Sequence, residues 1–216
     1  NTLARGLDTL FDADLTELFT KCSEHSVNKL GFKARIFHID STDISFHGLE
    51  HHADKEEASV PKHNGHPKDG RTELLQYELQ VVTDSNRIIR YMKTYDGNIG
   101  DSVMDRDTIA DLTRIFPENE RREMILVGDS KLATSSNIAS MIDSGFGFVS
   151  KCAVNFKDDG FERARIQSVS KTMHSCDRRG LWMSDADFEI ELNRNCKEKL
   201  RFIAHRWEPK VERRIE

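Results

Sequence analysis

The sequence predicts an α/β fold, a mixed sheet with flanking helices joined to an inserted α+β region, and three observations carry that prediction. Residues 34–92 hold four strand-like runs, most of them joined by short polar links, the pattern of an antiparallel meander. After residue 100 the apolar period changes, and helical and strand patterns alternate as they do around parallel strands. A length of 216 residues with 37% hydrophobic content suffices for one ordinary core carrying an insertion, and 12 Gly and 4 Pro are too few for a fibrous or disordered chain.

The elements follow in order. Leu7, Leu10, Phe11, Leu15, Leu18 and Phe19 recur at spacings of three and four, which predicts one or two short helices with one apolar face. Asp8, Asp12 or Asp14 would cap a break between them. Ala34–Asp40 reads as a strand ending in an acid, Ile44–Gly48 as a short second strand, Leu74–Val82 as a long third, and Ile88–Met92 as a fourth beyond the polar turn Thr83–Arg87. His51–Thr72 is polar, with His51, His52, His63 and His66 within it, and reads as a loop. Asp105–Phe116 carries Ile109, Leu112, Ile115 and Phe116 on one helical face, closed by Pro117. Met124–Asp129 is a buried-strand pattern that again ends in an acid. A helix from Thr134 or Ser135 turns Ile138, Met141 and Ile142 inward, and after Gly145 comes the strand Phe146–Val149. The remaining residues predict a charged helical region near 188–200 and a strand at Leu200–Ala204. The organisation expected is a helical lead-in at 1–30, a core at 31–150 and an insertion region at 151–216.

Charge excludes little. The net charge of −5 gives no bulk basic signal, yet residues 1–150 hold 17 basic and 25 acidic side chains, while residues 151–216 hold 15 and 12. The mean therefore hides a mildly basic second part. Cys22, Cys152, Cys176 and Cys196 form no Cys-x-x-Cys pair, which favours reduced thiols in a cytosolic protein over a disulfide or zinc framework. No apolar run approaches the roughly 20 residues that span a bilayer.

Side chains leaving the ends of adjacent strands gather in one crevice, and Asp40 and Asp129 occupy such ends. Two close carboxylates repel, whereas Mg²⁺, or Mn²⁺ in its stead, takes hard oxygen ligands and removes that repulsion. Ions so held can activate an attacking hydroxyl and stabilise a leaving alkoxide in phosphoryl transfer. The plainer alternative is that each aspartate caps the turn that follows it.

Four segments, in this order, resemble the catalytic domain of the DDE transposases of bacterial and archaeal insertion sequences. They are His38-Ile-Asp-Ser-Thr-Asp43 with Gly48, Gly65–Gln76, Tyr95-Asp-Gly-Asn-Ile-Gly-Asp-Ser102 with its Gly-Asn-x-x-Asp signature, and Ile125-Leu-Val-Gly-Asp129 with Asn137, Ile138 and Gly145 behind it. The order and spacing, across about 110 residues, are more specific than any one segment. The resemblance implies a ribonuclease H-like mixed sheet interrupted by a strand-rich insertion, with Asp40 and Asp129 as the first two members of a metal-binding triad. Asp43 competes for the first role.

The third member in that group is a glutamate on a later helix. His205-Arg-Trp-Glu208 is similar to its surroundings, but Pro209 follows at once and sits poorly inside a helix, so Glu208 is a weak candidate and Glu212 and Glu216 weaker. The expectation is that the third carboxylate lies outside this sequence and that both ends cut through a longer protein. Lys62, Lys68, Arg71 and Lys131 are candidates for DNA phosphate contacts, against the alternative of ordinary solvated surface. Arg163, Arg165, Lys171, Arg178 and Arg179 would form a DNA-facing part of the insertion, although Asp158, Asp159, Glu162 and Asp177 lie among them. The histidines at 47, 51, 52, 63 and 66 lack a recognised zinc spacing. Trp182 and Trp207 suit base stacking and core packing equally.

The function the resemblance implies is Mg²⁺-dependent DNA cleavage and strand transfer on double-stranded DNA, meaning transposon ends and target. The full protein would be a homodimer, cytoplasmic, associated with the nucleoid when acting, and without a membrane partner. The alternatives are a ribonuclease H-like nuclease that stops at hydrolysis, and an inactive transposase-derived DNA-binding or structural domain.

Overall fold

A computed structural model of the chain describes residues 2–46, 63–64, 74–153, 156, 167, 172–175, 181–193 and 196–207. It divides into two compact units, residues 1–132 with 140–151 and residues 133–139 with 152–216.

In the first unit, α1 (Thr2–Phe11) and α2 (Leu15–Leu30) are parted at Asp14, whose carboxylate accepts the Glu17 N–H at 2.9 Å and satisfies one of the open donors of the helix start. Gly31 ends α2 in the left-handed conformation that favours glycine. The predicted apolar face is not the buried one. Leu3, Leu7, Leu10, Leu15 and Leu18 are exposed, and α2 instead buries Thr20, Ser23 and Val27. Ser23 donates its hydroxyl to the Ile89 carbonyl at 2.7 Å, which ties the helix to the sheet.

The sheet consists of β1 (Ile36–Ser45), β2 (His63–Asn64), β3 (Leu75–Asp84), β4 (Ile89–Asp96), β5 (Ile125–Gly128) and β6 (Gly147–Ser150). Its order is β2-β3-β1-β5-β6, with β4 also paired to β3. Pairing is antiparallel from β4 through β3 to β1, and parallel from β1 through β5 to β6. This is the ribonuclease H-like mixed sheet, flanked by helices, that the sequence predicts. Two details differ, and the first is that the two predicted strands around residue 40 are one. β1 runs unbroken past Asp40 because β3 pairs with it along the whole length, from Phe37 opposite Asp84 to Ser45 opposite Gln76. His63 and Asn64, expected in a loop, pair with Gln76 and Leu75.

α3 (Asp101–Ile115) is bonded to this sheet through Gln80–Asp105 and Tyr91–Asp111 and buries Met104, Ile109 and Leu112, while Phe37, Ile39, Val82, Tyr91 and Leu126 supply buried side chains from the strands. It begins four residues before the predicted start, at Asp101, and its first turn already buries Met104. The short α4 (Glu118–Arg121) follows Pro117, and α5 (Ser135–Asp143) leads to Gly145, whose φ of 84° turns the chain into β6. The turn between β3 and β4 is fixed by Asp84, fully buried, which accepts the Asn86 and Ile88 N–H groups at 2.8 and 3.1 Å and the Arg90 guanidinium at 3.1 Å.

Within the second unit, β7 (His174–Ser175), β8 (Leu181–Asn193) and β9 (Cys196–Trp207) form an antiparallel sheet in that order. The helix predicted near 188–200 is thereby corrected. Alternation, not helical period, governs the stretch: Phe188, Ile190 and Leu192 share one face with Phe202 and Ala204, and the acids between them share the other. On that second face Arg201 pairs with Asp185 at 2.7 Å, Lys199 with Asp187 at 3.1 Å and Lys197 with Glu189 at 3.7 Å. Among the described residues no helix is long and apolar enough to cross a membrane.

Candidate functional site

The parallel pairing of β1 with β5 ends at His38 opposite Val127. Beyond that pair β1 stays with β3, while β5 stops at Gly128 and the chain turns away. A crevice opens where the strands part, and its two sides carry Asp40 and Asp129. Both are exposed. Asp40 Oδ1 accepts the Ser41 N–H at 2.9 Å. Asp129 Oδ1 accepts the Lys131 N–H at 2.7 Å, and its carbonyl takes a hydrogen bond from the Ser150 hydroxyl of β6. The turn-capping alternative is therefore half true: each carboxylate does bond to the backbone after it, but, among the described residues, through one oxygen only.

Two further acids enter from α3. Asp101 opens the helix and accepts the Ser41 hydroxyl at 3.2 Å. Asp105 stands one turn later on the same face, only 6% exposed, with Oδ1 accepting the Gln80 side-chain amide of β3 at 2.8 Å. Asp40, Asp101, Asp105 and Asp129, with Ile39 and Ser41, line one cavity of about 60 Å³. Burial is the main reason the Asp105 carboxyl is pushed up to about 7, the Gln80 hydrogen bond opposes it, and the charges of Asp129, Asp101 and Asp40 add to the rise.

The segment before α3 shows why its glycine is needed. A Cβ on Gly97 would lie 2.1 Å from the Gln76 carbonyl oxygen, and Gln76 donates its amide to the Gly97 carbonyl at 2.9 Å. Only a residue without a side chain lets the chain pass so close to β3, and that passage delivers Asp101 and Asp105 to the crevice.

The predicted residues divide clearly. Asp40 and Asp129 come together, whereas Asp43 lies opposite Glu78 in the β1–β3 ladder and takes no part in lining the cavity. Lys131 is exposed beside Asp129. Lys62, Lys68, Arg71 and Glu208 lie outside the described residues, as do His47, His51, His52, His66 and the arginines at 163, 165, 178 and 179 with Lys171. Sequence reasoning passed over Asp101 and Asp105. Their signal was the Gly-Asn-x-x-Asp segment itself, which ends on Asp101, with a second acid four residues on.

The oxygen-only donor set suits a hard divalent cation. Among the described residues, however, no three His, Cys, Asp or Glu side chains converge closely enough to hold one directly.

No protein-family model matches the chain, and no curated protein matches it. Solved structures that it resembles include a pre-cleavage Mos1 transpososome, at 13% identity over 64% of this chain and 43% of that one, with a TM-score of 0.36. The Mos1 strand transfer complex is alike at 14% identity over 64% of this chain and 42% of that one, also with a TM-score of 0.36. This chain spans less than half the length of either. A likeness so distant assigns neither activity nor residues to this chain.

Proposed function

We propose that this chain is the catalytic portion of a DDE transposase, acting in divalent-cation-dependent cleavage and strand transfer of double-stranded DNA. The observation that carries the reading is the meeting of Asp40 and Asp129, about 90 residues apart, at the fork between two parallel strands of a ribonuclease H-like sheet. The ordered motifs of the sequence support it. Residues 31–150 would form the catalytic core, behind a lead-in at 1–30, with 151–216 as the insertion.

Mg²⁺, when bound, would lower the proton affinity of an attacking water or 3′-hydroxyl and neutralise the leaving alkoxide. The chain's own part is to hold and orient. Asp40 and Asp129 are each anchored at Oδ1 by a backbone N–H, and among the described residues neither Oδ2 accepts a hydrogen bond. Those two oxygens are the ligands offered. Lys131, whose backbone fixes Asp129, carries a cation suited to the phosphate of the scissile strand, with Lys62, Lys68 and Arg71 as further phosphate contacts. Transposon ends and target DNA would be the partners, and the full protein a homodimer.

A second reading is favoured by one observation, the lack of three converging ligands among the described residues. It makes the chain a transposase-derived DNA-binding domain without catalysis. Mn²⁺ binding to the parent chain and to folded Asp40→Ala and Asp129→Ala variants tests the paired carboxylates: binding in the parent and its loss in both variants is expected, and equal binding in all three would overturn the assignment. Cleavage of a plasmid in Mg²⁺ then separates the enzyme from the binding domain.

A further inference from the structure

Asp105 is an expensive residue for its position. A buried carboxylate that serves packing alone has its oxygens satisfied, because each unpaired buried polar atom costs free energy. Asp105 is 6% exposed, yet among the described residues Gln80 gives its only hydrogen bond, at Oδ1. Oδ2 accepts none and is not one of the sealed, unpartnered atoms of the interior, so it opens to the cavity that the side chain lines with three other acids. Asparagine would fill the same space without adding a negative charge to that cavity.

Gln80 sharpens the point. It is 1% exposed and spends its amide N–H on Asp105, while its own Oε1 is left without a partner. The amide orientation is dictated by the carboxylate, since the reverse orientation would set oxygen against oxygen. A buried polar atom left without a partner calls for a reason, and holding Asp105 toward the cavity supplies one.

The cavity is large enough for more than an ion. A single water needs a site of roughly 10–15 Å³, and the cavity offers about 60 Å³. Mg²⁺ sheds water reluctantly and keeps several of its waters when bound to one or two carboxylates. Such waters are donors, and they need acceptors.

We propose that Asp105 is a further functional carboxylate of the cation site, accepting a hydrogen bond at Oδ2 from a water held by the ion, and that Gln80 is its positioning residue. The inference rests on the reading of Asp40 and Asp129 as ion ligands and deepens it. It does not require three side chains to converge on the metal, because Asp105 acts through water. The acids of the fork then come from β1, from the turn after β5 and from α3, all within the first unit.

The test is Mn²⁺ affinity, measured by electron paramagnetic resonance on the 216-residue chain. Asp105→Asn keeps the shape and the Gln80 hydrogen bond but removes the charge, and about a tenfold loss of affinity is expected. Gln80→Leu, which frees Asp105 from its anchor, is expected to lose severalfold, and Asp107→Asn, on the same helix but away from the cavity, nothing. Undiminished binding by Asp105→Asn alongside its loss in Asp40→Ala would overturn this inference and leave the Asp40–Asp129 reading standing. A parent chain that binds no Mn²⁺ would overturn both. A measurement free of substitution uses the unaltered protein: the Asp105 carboxyl carbon resonance is expected to move as Mg²⁺ is added. An unmoved Asp105 signal beside moving Asp40 and Asp129 signals would again sink the role.

Discussion

Asp40 and Asp129 stand in register, each two residues beyond the last parallel partners, His38 and Val127. The acids are thus set by the point at which one strand changes company. β1 continues with β3 while β5 ends at Gly128, so one carboxylate stands on a strand and the other on the turn that follows its parallel neighbour. Four predictions follow from this part of the molecule and its supports.

The first concerns pH. The Asp105 carboxyl is raised from 3.8 to about 7 in the folded chain, so the folded state holds a proton that the unfolded state has already released. Metal-free stability should therefore be greatest below about pH 4 as far as this group is concerned. It falls as pH rises toward 7, by on the order of 4 kcal/mol. Urea denaturation of the parent and of Asp105→Asn across that window checks the sign: the variant should show the shallower decline.

Gly97→Ala should disrupt the entry to α3. The new Cβ would meet the Gln76 carbonyl at 2.1 Å, and the backbone of β3 cannot give way without breaking its ladder. A loss of about 1–3 kcal/mol is expected from such overpacking. Denaturation midpoints measure it, and Gly100→Ala, where nothing lies within 4 Å of the added Cβ, provides the comparison.

Arg90 is the buried counterpart of Asp84 and also pairs with Glu24 of α2. Arg90→Met would leave Asp84 buried and without its cation, at a cost of about 3–5 kcal/mol. Adding Asp84→Asn to that variant should recover part of the loss, because the uncompensated charge disappears. Thermal or chemical unfolding of the single and double variants gives the coupling.

Asp14→Ala removes the cap of α2, and about 1 kcal/mol should be lost. Hydrogen exchange in the first turn of α2 would register it before global unfolding does.

Much of the sheet was legible because its residues report on it directly. Runs such as Leu75–Val82 and Ile125–Val127 are rich in β-formers, and acids at the ends of two of them were visible as Asp40 and Asp129. Asp105 was legible only as a second acid four residues beyond the Gly-Asn-x-x-Asp segment. Along the sequence it is an ordinary polar residue at the start of a helix, and what makes it unusual is Gln80, which reaches it across the sheet–helix interface. The face of α2 was misjudged for a related reason: leucines at helical spacing announce an amphipathic helix, but the serine and threonine that bury beside Val27 look like surface. In the β8–β9 region the many Glu and Lys residues suggested a helix, although the period-two alternation of Phe188, Ile190 and Leu192 was already present. There the cross-strand partners, not the local composition, decide.

The ion pairs along β8 and β9 bear on how this chain would meet a polyanion. Each cation of that ladder is matched by a carboxylate within 4 Å, so the face behaves as a row of small dipoles whose potentials cancel at short range. At a physiological screening length of about 8 Å, little of that field reaches a distant phosphate. The local excess of lysine and arginine in the second part of the sequence thus contributes no long-range steering through these three residues. Raising the salt concentration should leave any nucleic-acid affinity of this face almost unchanged.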